Sequence, residues 1–148
     1  MENGLLQQLP ADKRFKLLGE VTSLMLLSPI HQRYLVSDIG DIITPALDKN
    51  QFRIYHKGDN PVAILTWAWL SDEVHEKYKE GNYLLKDDEW NSGKHLWFID
   101  FIAPFGNGSK ILADIKKLRH ELFKDATFAH AIRPDGYGNV KRVMTFEW

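Results

Sequence analysis

Cysteine is absent from the 148-residue chain, and this absence removes several classes of chemistry. The chain can form neither disulfides nor thiolate metal sites, and it cannot carry an acyl group on a cysteine. No apolar run approaches the roughly 18 residues of a membrane-spanning helix, so no membrane span is predicted. Residues 1–14 also lack the basic-then-apolar order of a secretory signal peptide. We therefore expect a cytoplasmic protein.

The chain also lacks a large excess of positive or of negative charge. The 19 Lys and Arg residues nearly balance the 20 Asp and Glu residues, which leaves a net charge of −1. Such a chain has no overall field to attract nucleic acid, so no nucleic-acid partner is expected. The six histidines show neither H-x-x-x-H nor H-E-x-x-H spacing. We accordingly predict no metal site.

Hydrophobic residues make up 44% of the chain, which suffices for the core of one domain spanning residues 1–148. The patterns predict a loose leader over residues 1–10, helices over 12–28 and 34–47, and a β-hairpin over 51–70. They also predict a short helix over 71–81, a strand over 96–103, a helix over 109–124, and strands over 128–133 and 140–147 with a turn at 134–139. This order indicates an α/β (α+β) fold in which helices pack on one sheet.

The stretch from His95 to Lys110 combines an apolar strand, a glycine-containing turn and a helix start. Alternation places Asp100 on the same face of the strand as Leu96, Phe98 and Ile102. Because burying an unpaired carboxylate costs several kcal/mol, Asp100 needs a partner. It either makes a structural salt bridge or accepts backbone N–H bonds, or it orients a catalytic histidine. The partners that the residues leave open are His31, His56, His95, His120, His130 and Arg133.

The turn after this strand is a candidate anion site, because a helix start presents free N–H groups and the positive end of its dipole. Its residues are Gly106, Asn107, Gly108, Ser109 and Lys110. The phosphate of phosphopantetheine, from coenzyme A or acyl carrier protein, is one group that would fit. A lone G-x-G is a weak signal, and an ordinary strand-to-helix turn is the alternative. The helix that follows has a basic outer side, which either is simply solvated or meets an acidic partner.

Two stretches resemble one known family. The first is Gly19–Leu24 leading into Ser28-Pro29-Ile30-His31, and the second is the run W-F-I-D-F-I-A-P-F-G at 97–106. Together they are similar to the RTX-toxin-activating lysine acyltransferases of the hemolysin-activating type. Shorter agreements lie at 59–63, 67–68, 88–93, 131–133 and 138–140, so the resemblance spans roughly residues 16–147. Phe101 stands where many relatives have tryptophan, and relatives continue for some tens of residues past the position of Trp148.

This resemblance implies a GNAT-like acyltransferase fold with a central mixed, mostly antiparallel sheet. It implies an enzyme that takes a fatty acyl group from acyl carrier protein and places it on internal lysine ε-amines of an inactive RTX protoxin. The family's catalytic histidine and aspartate correspond to His31 and Asp100. No cofactor is expected to be permanently bound, because acyl carrier protein brings the donor thioester. The family is cytoplasmic and includes homodimers.

Three further expectations complete the predicted site. Ser28 and Arg133 are expected to bind substrate, and the 106–110 turn is expected to hold the phosphopantetheine phosphate. His31 would act as the base, since a lysine amine must lose a proton before it attacks and histidine titrates near neutrality. Two alternatives stay open: a GNAT-like N-acetyltransferase that uses acetyl-CoA, and a non-catalytic toxin-binding chaperone.

Overall fold

Five strands form one sheet in the computed structural model, which describes residues 4–134 and 140–147. The strands are β1 (Phe52–Lys57), β2 (Asn60–Leu70), β3 (His95–Ile102), β4 (Phe128–Pro134) and β5 (Val140–Glu147), and they lie in that order. Every neighbouring pair is antiparallel except β3 and β4, which are parallel. The predicted α+β fold with a mixed, mostly antiparallel sheet is confirmed, and it is consistent with a GNAT-like acyltransferase.

The helices before the sheet differ in part from the prediction. Helix α1 (Leu5–Gln8) lies within the segment predicted as a loose leader, and its Leu6 is buried. Helix α2 (Ala11–Leu26) follows Pro10 and buries Val21, Leu24 and Met25. The leader prediction is therefore wrong for α1, because one apolar side chain of that segment joins the core.

The helix predicted over 34–47 is not continuous. A 3₁₀ turn (His31–Arg33) is followed by α3 (Val36–Asp38), a π-helical segment (Ile39–Ile43) and α4 (Thr44–Asp48). Pro45 has no N–H, and its ring excludes the carbonyl four residues earlier. The chain accommodates the proline after a widened turn, in which the N–H of Thr44 bonds to the carbonyl of Ile39.

Strand β2 lies inside the sheet between β1 and β3, and both of its faces are packed. Leu65, Trp67 and Trp69 lie in one cluster with Ile115 and Phe123 from the α6 region, where α6 spans Gly108–Leu122. On the other face, Ile64 packs with α2 and α4, while Ala68 and Leu70 pack with α5 (Asp72–Lys79). The sheet thus separates two layers of helices.

Strand β3 does not alternate as predicted, because it contains a β-bulge. Leu65 pairs with Phe101 and Trp67 pairs with Phe98, so two residues of β3, Ile99 and Asp100, face the single residue Thr66. The extra residue shifts the alternation after Ile99. Phe101, and not Asp100, consequently lies in the α6-side cluster with Leu96 and Phe98. The prediction that Asp100 shares a face with Leu96 and Phe98 is therefore wrong.

The remaining elements agree closely with the patterns. Ser71 caps α5 by accepting a hydrogen bond from the N–H of Val74, and α6 begins one residue before the predicted Ser109. Of the turn predicted at 134–139, residues 135–139 lie outside the described part of the chain. None of the helices in residues 4–134 and 140–147 has the length and apolar character to span a bilayer.

Candidate active site

A buried histidine and a buried aspartate meet at the bulge of β3. His31 lies in the 3₁₀ turn that follows α2 and Pro29, and 7% of its surface is exposed. Its Nε2 lies 2.9 Å from Oδ1 of Asp100, which is 4% exposed. Of the six partners that the sequence left open for Asp100, the structure brings His31 into contact.

Ser28 extends this contact into a chain of three polar side chains. Its Oγ lies 2.6 Å from Nδ1 of His31, and the residue is almost fully buried. With Asp100 ionised, Nε2–H of a neutral His31 donates to the carboxylate, so Nδ1 presents a lone pair and accepts from the Ser28 hydroxyl. The imidazole is thus held at both nitrogens, in the tautomer that can accept a proton at Nδ1.

Asp100 is held by two more groups. Its backbone N–H donates to Oγ1 of Thr66 at 3.0 Å, directly across the bulge. The hydroxyl of Tyr34 donates to Oδ1 at 2.7 Å, so this one oxygen accepts from both Tyr34 and His31. Oδ2 is buried and has no hydrogen-bond partner among the described residues. The carboxylate is therefore fixed through one oxygen and its own backbone.

Two tyrosines near Asp100 are kept neutral by their surroundings. Burial, followed by the charge of Asp100 and the hydrogen bond to it, raises the pKa of Tyr34 far above its usual value. Burial and then the charge of Asp100 also raise the pKa of Tyr78. Both phenols therefore keep their protons at neutral pH. Neither tyrosine was predicted as a site residue, because a tyrosine three positions after a histidine carries no recognised motif.

A small cleft with both polar and apolar atoms in its wall opens beside this cluster. Tyr34 contributes to both the cleft wall and the bond to Asp100, and Ile99 lines the cleft one residue before Asp100. The buried Nε1 of Trp90 has no hydrogen-bond partner within the described residues. The full lining is Tyr34, Asp41, Ile42, Tyr78, Tyr83, Leu84, Leu85, Trp90 and Ile99. The cleft therefore offers aromatic and aliphatic side chains together with the carboxylate of Asp41.

The predicted anion site lies at the start of α6, beyond the end of β3. Its main feature is the conformation of its backbone. Gly106 has φ = +79°, a conformation that favours glycine. Asn107 precedes the helix without capping it, and its Oδ1 is buried and unpartnered within the described residues. The first helical N–H bond of α6 runs from Ile111 to the carbonyl of Asn107. The N–H groups of Gly108, Ser109 and Lys110 precede that bond and have no partner within the helix, as is general for the first residues of a helix.

Arg133 is exposed on β4, and the structure shows no contact between it and His31 or Asp100. The parallel strands β3 and β4 pair only through residues 96–98 and 129–131. Continuing that register would place Arg133 level with Asp100, but the strands are no longer paired there. Arg133 thus lies near the end of the sheet that carries the site, but it contacts neither His31 nor Asp100. Its predicted contact with the substrate stays a prediction.

The other candidate histidines lie elsewhere. His56 pairs with Glu20, and His95 pairs with Asp72. His95 also belongs to a cluster with His75 and His130, whose ring nitrogens come within 4.8 Å of one another. The sequence did not reveal this cluster, because its members come from α5, β3 and β4 and so have no common spacing.

The chain matches one known protein family along most of its length. The model of the RTX toxin acyltransferase family matches residues 11–147. The chain is 38% identical over 136 residues to the protein-lysine myristoyltransferase HlyC of Escherichia coli, covering 91% of this chain and 76% of that protein.

Two further relatives carry related names. The RTX-I toxin-activating lysine-acyltransferase ApxIC of Actinobacillus pleuropneumoniae is 34% identical over 133 residues, which are 89% of this chain and 74% of that protein. The leukotoxin-activating lysine-acyltransferase LktC of a Pasteurella haemolytica-like species is 33% identical over 104 residues, which are 70% of this chain and 63% of that protein. All three named relatives are lysine acyltransferases.

Proposed function

The chain belongs to the RTX toxin acyltransferase family, and from this premise we propose that it is a protein-lysine fatty acyltransferase that activates an RTX protoxin. The single observation that carries the catalytic part is the buried chain Ser28–His31–Asp100, with distances of 2.6 Å and 2.9 Å. This arrangement can accept a proton at Nδ1 of His31 and stabilise the imidazolium through Asp100.

The reaction proposed here is transfer of an acyl group from a thioester to an amine. The ε-amine of the target lysine attacks the thioester carbonyl, and the C–N bond forms as the C–S bond breaks. One proton leaves the attacking nitrogen for Nδ1 of His31, either directly or through the Ser28 hydroxyl. The departing thiolate takes up a proton, so the products are an amide and a free thiol. In this scheme Ser28 binds the amine and relays its proton.

The donor is proposed to be acyl carrier protein, whose phosphopantetheine arm carries the thioester. Its phosphate is assigned to the N–H groups at Gly108, Ser109 and Lys110, with Gly106 and Asn107 shaping the turn. The arm can reach Asp100 where β3 and β4 stop pairing, at the carboxyl ends of two parallel strands. The cleft beside Tyr34, whose wall includes Ile99 and Tyr78, is assigned to the part of the acyl chain nearest the thioester.

The basic side of α6 is proposed to meet the acyl carrier protein. Four of its lysines are exposed: Lys110, Lys116, Lys117 and, just past the helix end, Lys124. Positive charge there would steer an acidic partner towards the phosphate site at the helix start. Arg133, exposed at the same end of the sheet, is assigned to the protoxin or to the donor. The whole chain is proposed to act as one cytoplasmic acyltransferase domain, with a homodimer as one assembly.

Mass spectrometry of a candidate protoxin tests this function directly. Incubation with this protein and acyl carrier protein charged with myristate or palmitate should add the acyl mass to a protoxin lysine. The adduct should disappear with His31→Ala and with Asp100→Asn. His56→Ala is the matched control, because His56 also pairs with a carboxylate but lies outside the site, and it should leave the adduct unchanged.

The two alternatives give different results in the same assay. An N-acetyltransferase would transfer acetyl from acetyl-CoA without carrier protein. A chaperone would bind the protoxin equally well with or without His31 and Asp100 and would leave no adduct. Absence of any adduct with either chain length would count against the acyltransferase proposal.

A further inference from the structure

Three histidines converge at the end of β3 opposite to the catalytic cluster. His75 is buried on α5, His95 is the first residue of β3, and His130 lies on β4 opposite Trp97. His95 is five residues before Asp100, which is about 16 Å along a strand. The mechanism proposed above uses none of the three.

The ring nitrogens of these three residues lie close enough together to hold one metal ion. One ring nitrogen of each lies within 4.8 Å of one from each of the others. Two of the rings already have the outer partners that metal-binding histidines use to fix their orientation. Nε2 of His95 lies 2.6 Å from Oδ1 of Asp72, and Nδ1 of His130 lies 3.0 Å from Oγ1 of Thr145.

We propose that His75, His95 and His130 bind one divalent transition-metal ion of the zinc type. A neutral imidazole is a ligand that such ions prefer, and three of them leave a fourth position for water. With Nε2–H of His95 donating to Asp72 and Nδ1–H of His130 donating to Thr145, the opposite nitrogen of each ring keeps a lone pair that can coordinate an ion.

Two adjustments accompany binding. The rings of His75 and His95 are stacked at 3.9 Å with 10° between their planes, so their lone pairs lie in nearly parallel planes and cannot meet at one ion. Zinc–nitrogen bonds of 2.0–2.1 Å in a tetrahedron need nitrogens about 3.3 Å apart, so one ring must turn towards the other. His95 can do this, because 31% of its side chain is exposed and its partner Asp72 is fully exposed.

The second adjustment concerns His75. Nε1–H of Trp97 donates to Nδ1 of His75 at 2.9 Å, so Nε2 of the neutral ring carries the proton. Coordination through Nδ1 replaces the bond from Trp97, and coordination through Nε2 requires the ring proton to move to Nδ1, which also breaks that bond. Trp97, which also lies 5.1 Å from the His130 ring, is therefore a built-in reporter of occupancy.

The ion would join α5 to the parallel pair β3 and β4, which is paired at only three positions. The full chain, prepared without a histidine tag and freed of metal, should bind about one Zn²⁺ by calorimetry and show a higher unfolding temperature with Zn²⁺ present. Co²⁺ should give the visible absorption of a tetrahedral nitrogen site, and the tryptophan emission should change.

Variants locate the ion. His95→Gln and His130→Gln should each weaken Zn²⁺ binding at least about tenfold, and Asp72→Asn should weaken it less. His120→Gln, an exposed histidine outside the cluster, should bind as the unaltered chain does. The proposal is overturned if the unaltered chain binds no Zn²⁺, or if His120→Gln reduces binding as much as the cluster variants do. Because each variant is read by metal binding and by unfolding temperature, a folding defect is recognised separately.

Discussion

Asp100 shows how one residue combines several constraints. Its Oδ1 accepts from His31 and Tyr34, and its N–H donates to Thr66. A carboxylate with 4% exposure is tolerated because charged hydrogen bonds replace the water that it has lost. Tyr34 is a positioning residue in this scheme, since its hydroxyl bonds to the carboxylate and its ring centroid lies 5.2 Å from that of His31.

Tyr34→Phe isolates this positioning bond. Removing the hydroxyl takes one of two donors from Oδ1 and leaves the phenyl ring in the core. Because a hydrogen bond to a charged group contributes about 1.5–3 kcal/mol, we expect acyl transfer to slow about tenfold or more. The measurement is the rate of protoxin acylation at saturating acyl carrier protein, with circular dichroism to verify the fold.

Tyr55→Phe is the control for that change. Tyr55 donates to Oδ2 of Asp114 at 2.6 Å, so the substitution removes the same kind of bond at a distance from the site. Its acylation rate should equal that of the unaltered chain. Equal rates for Tyr34→Phe and Tyr55→Phe would show that the Tyr34 hydroxyl does not orient Asp100.

How far the site could be predicted depends on the residue. A carboxylate inside an apolar strand needs a partner, because burying it alone is costly. Asp100 could therefore be identified from the pattern as a candidate site residue. His31 was one of six candidates by that argument, and the resemblance to a family singled it out. Tyr34 and Thr66 could not be predicted, because their roles depend on the three-dimensional packing of a turn and a neighbouring strand against Asp100.

At the scale of elements, the bulge of β3 decides where Asp100 points. Without the extra residue, Asp100 would lie on the α6 face with Leu96 and Phe98, away from His31 and α2. The apolar run from 96 to 103 predicts a strand correctly, but every position in it is apolar except one. A run with so little contrast between its faces cannot indicate where the alternation breaks.

Thr66→Val tests how the bulge is held. Valine keeps the shape of threonine but cannot accept the N–H of Asp100, which would then be buried without a partner. We expect the free energy of unfolding to fall by about 1–3 kcal/mol, measured by urea denaturation, because Thr66 is only 1% exposed.

Thr22→Val provides the comparison for this prediction. Thr22 donates to the carbonyl of Leu18 within α2, a local bond whose loss should change stability by less than about 0.5 kcal/mol. An equal, small effect of both substitutions would mean that water or a rearranged strand satisfies the Asp100 N–H. Thr66→Ser retains the acceptor and should keep acylation close to that of the unaltered chain.

At the scale of the whole molecule, the two sides of the sheet carry different kinds of residues. The α6 side is an apolar cluster around Trp67, Phe123 and Ile115. The opposite side holds Asp100 and His31 between two apolar clusters, one formed with α1, α2 and α4 and the other with α5. The order of helices and strands was predictable because each has its own periodicity. The pairing of β3 with β4 in parallel was not, since it depends on where α6 returns the chain.

Three buried or half-buried tyrosines should make the folded state less stable at alkaline pH. The pKa values of Tyr34 and Tyr78 are raised mainly by burial, and burial with the hydrogen bond to Asp114 raises that of Tyr55 to about 12. In the unfolded chain all three titrate near 10.0. Between those values the unfolded state loses protons that the folded state keeps. Stability is therefore fully present below pH 10 and declines as pH rises through the window from about 10 to 12 and beyond.

Denaturant unfolding at pH 8, 10 and about 11 should reveal this decline, with up to about 1.4 kcal/mol per pH unit from Tyr34 and from Tyr78 and less from Tyr55, which is more exposed to solvent. The chain has five tyrosines, so complete ionisation would give the phenolate absorbance of five groups. In the folded protein at about pH 11 the absorbance should stay below that value, and it should reach that value on unfolding. Tyr55→Phe removes one of the three groups and should flatten the decline without abolishing it. Full phenolate absorbance in the folded protein near pH 10, or constant stability up to pH 12, would contradict the protected environment assigned to these side chains. The position of Tyr34 against Asp100 would then have to be more open to water than the structure shows.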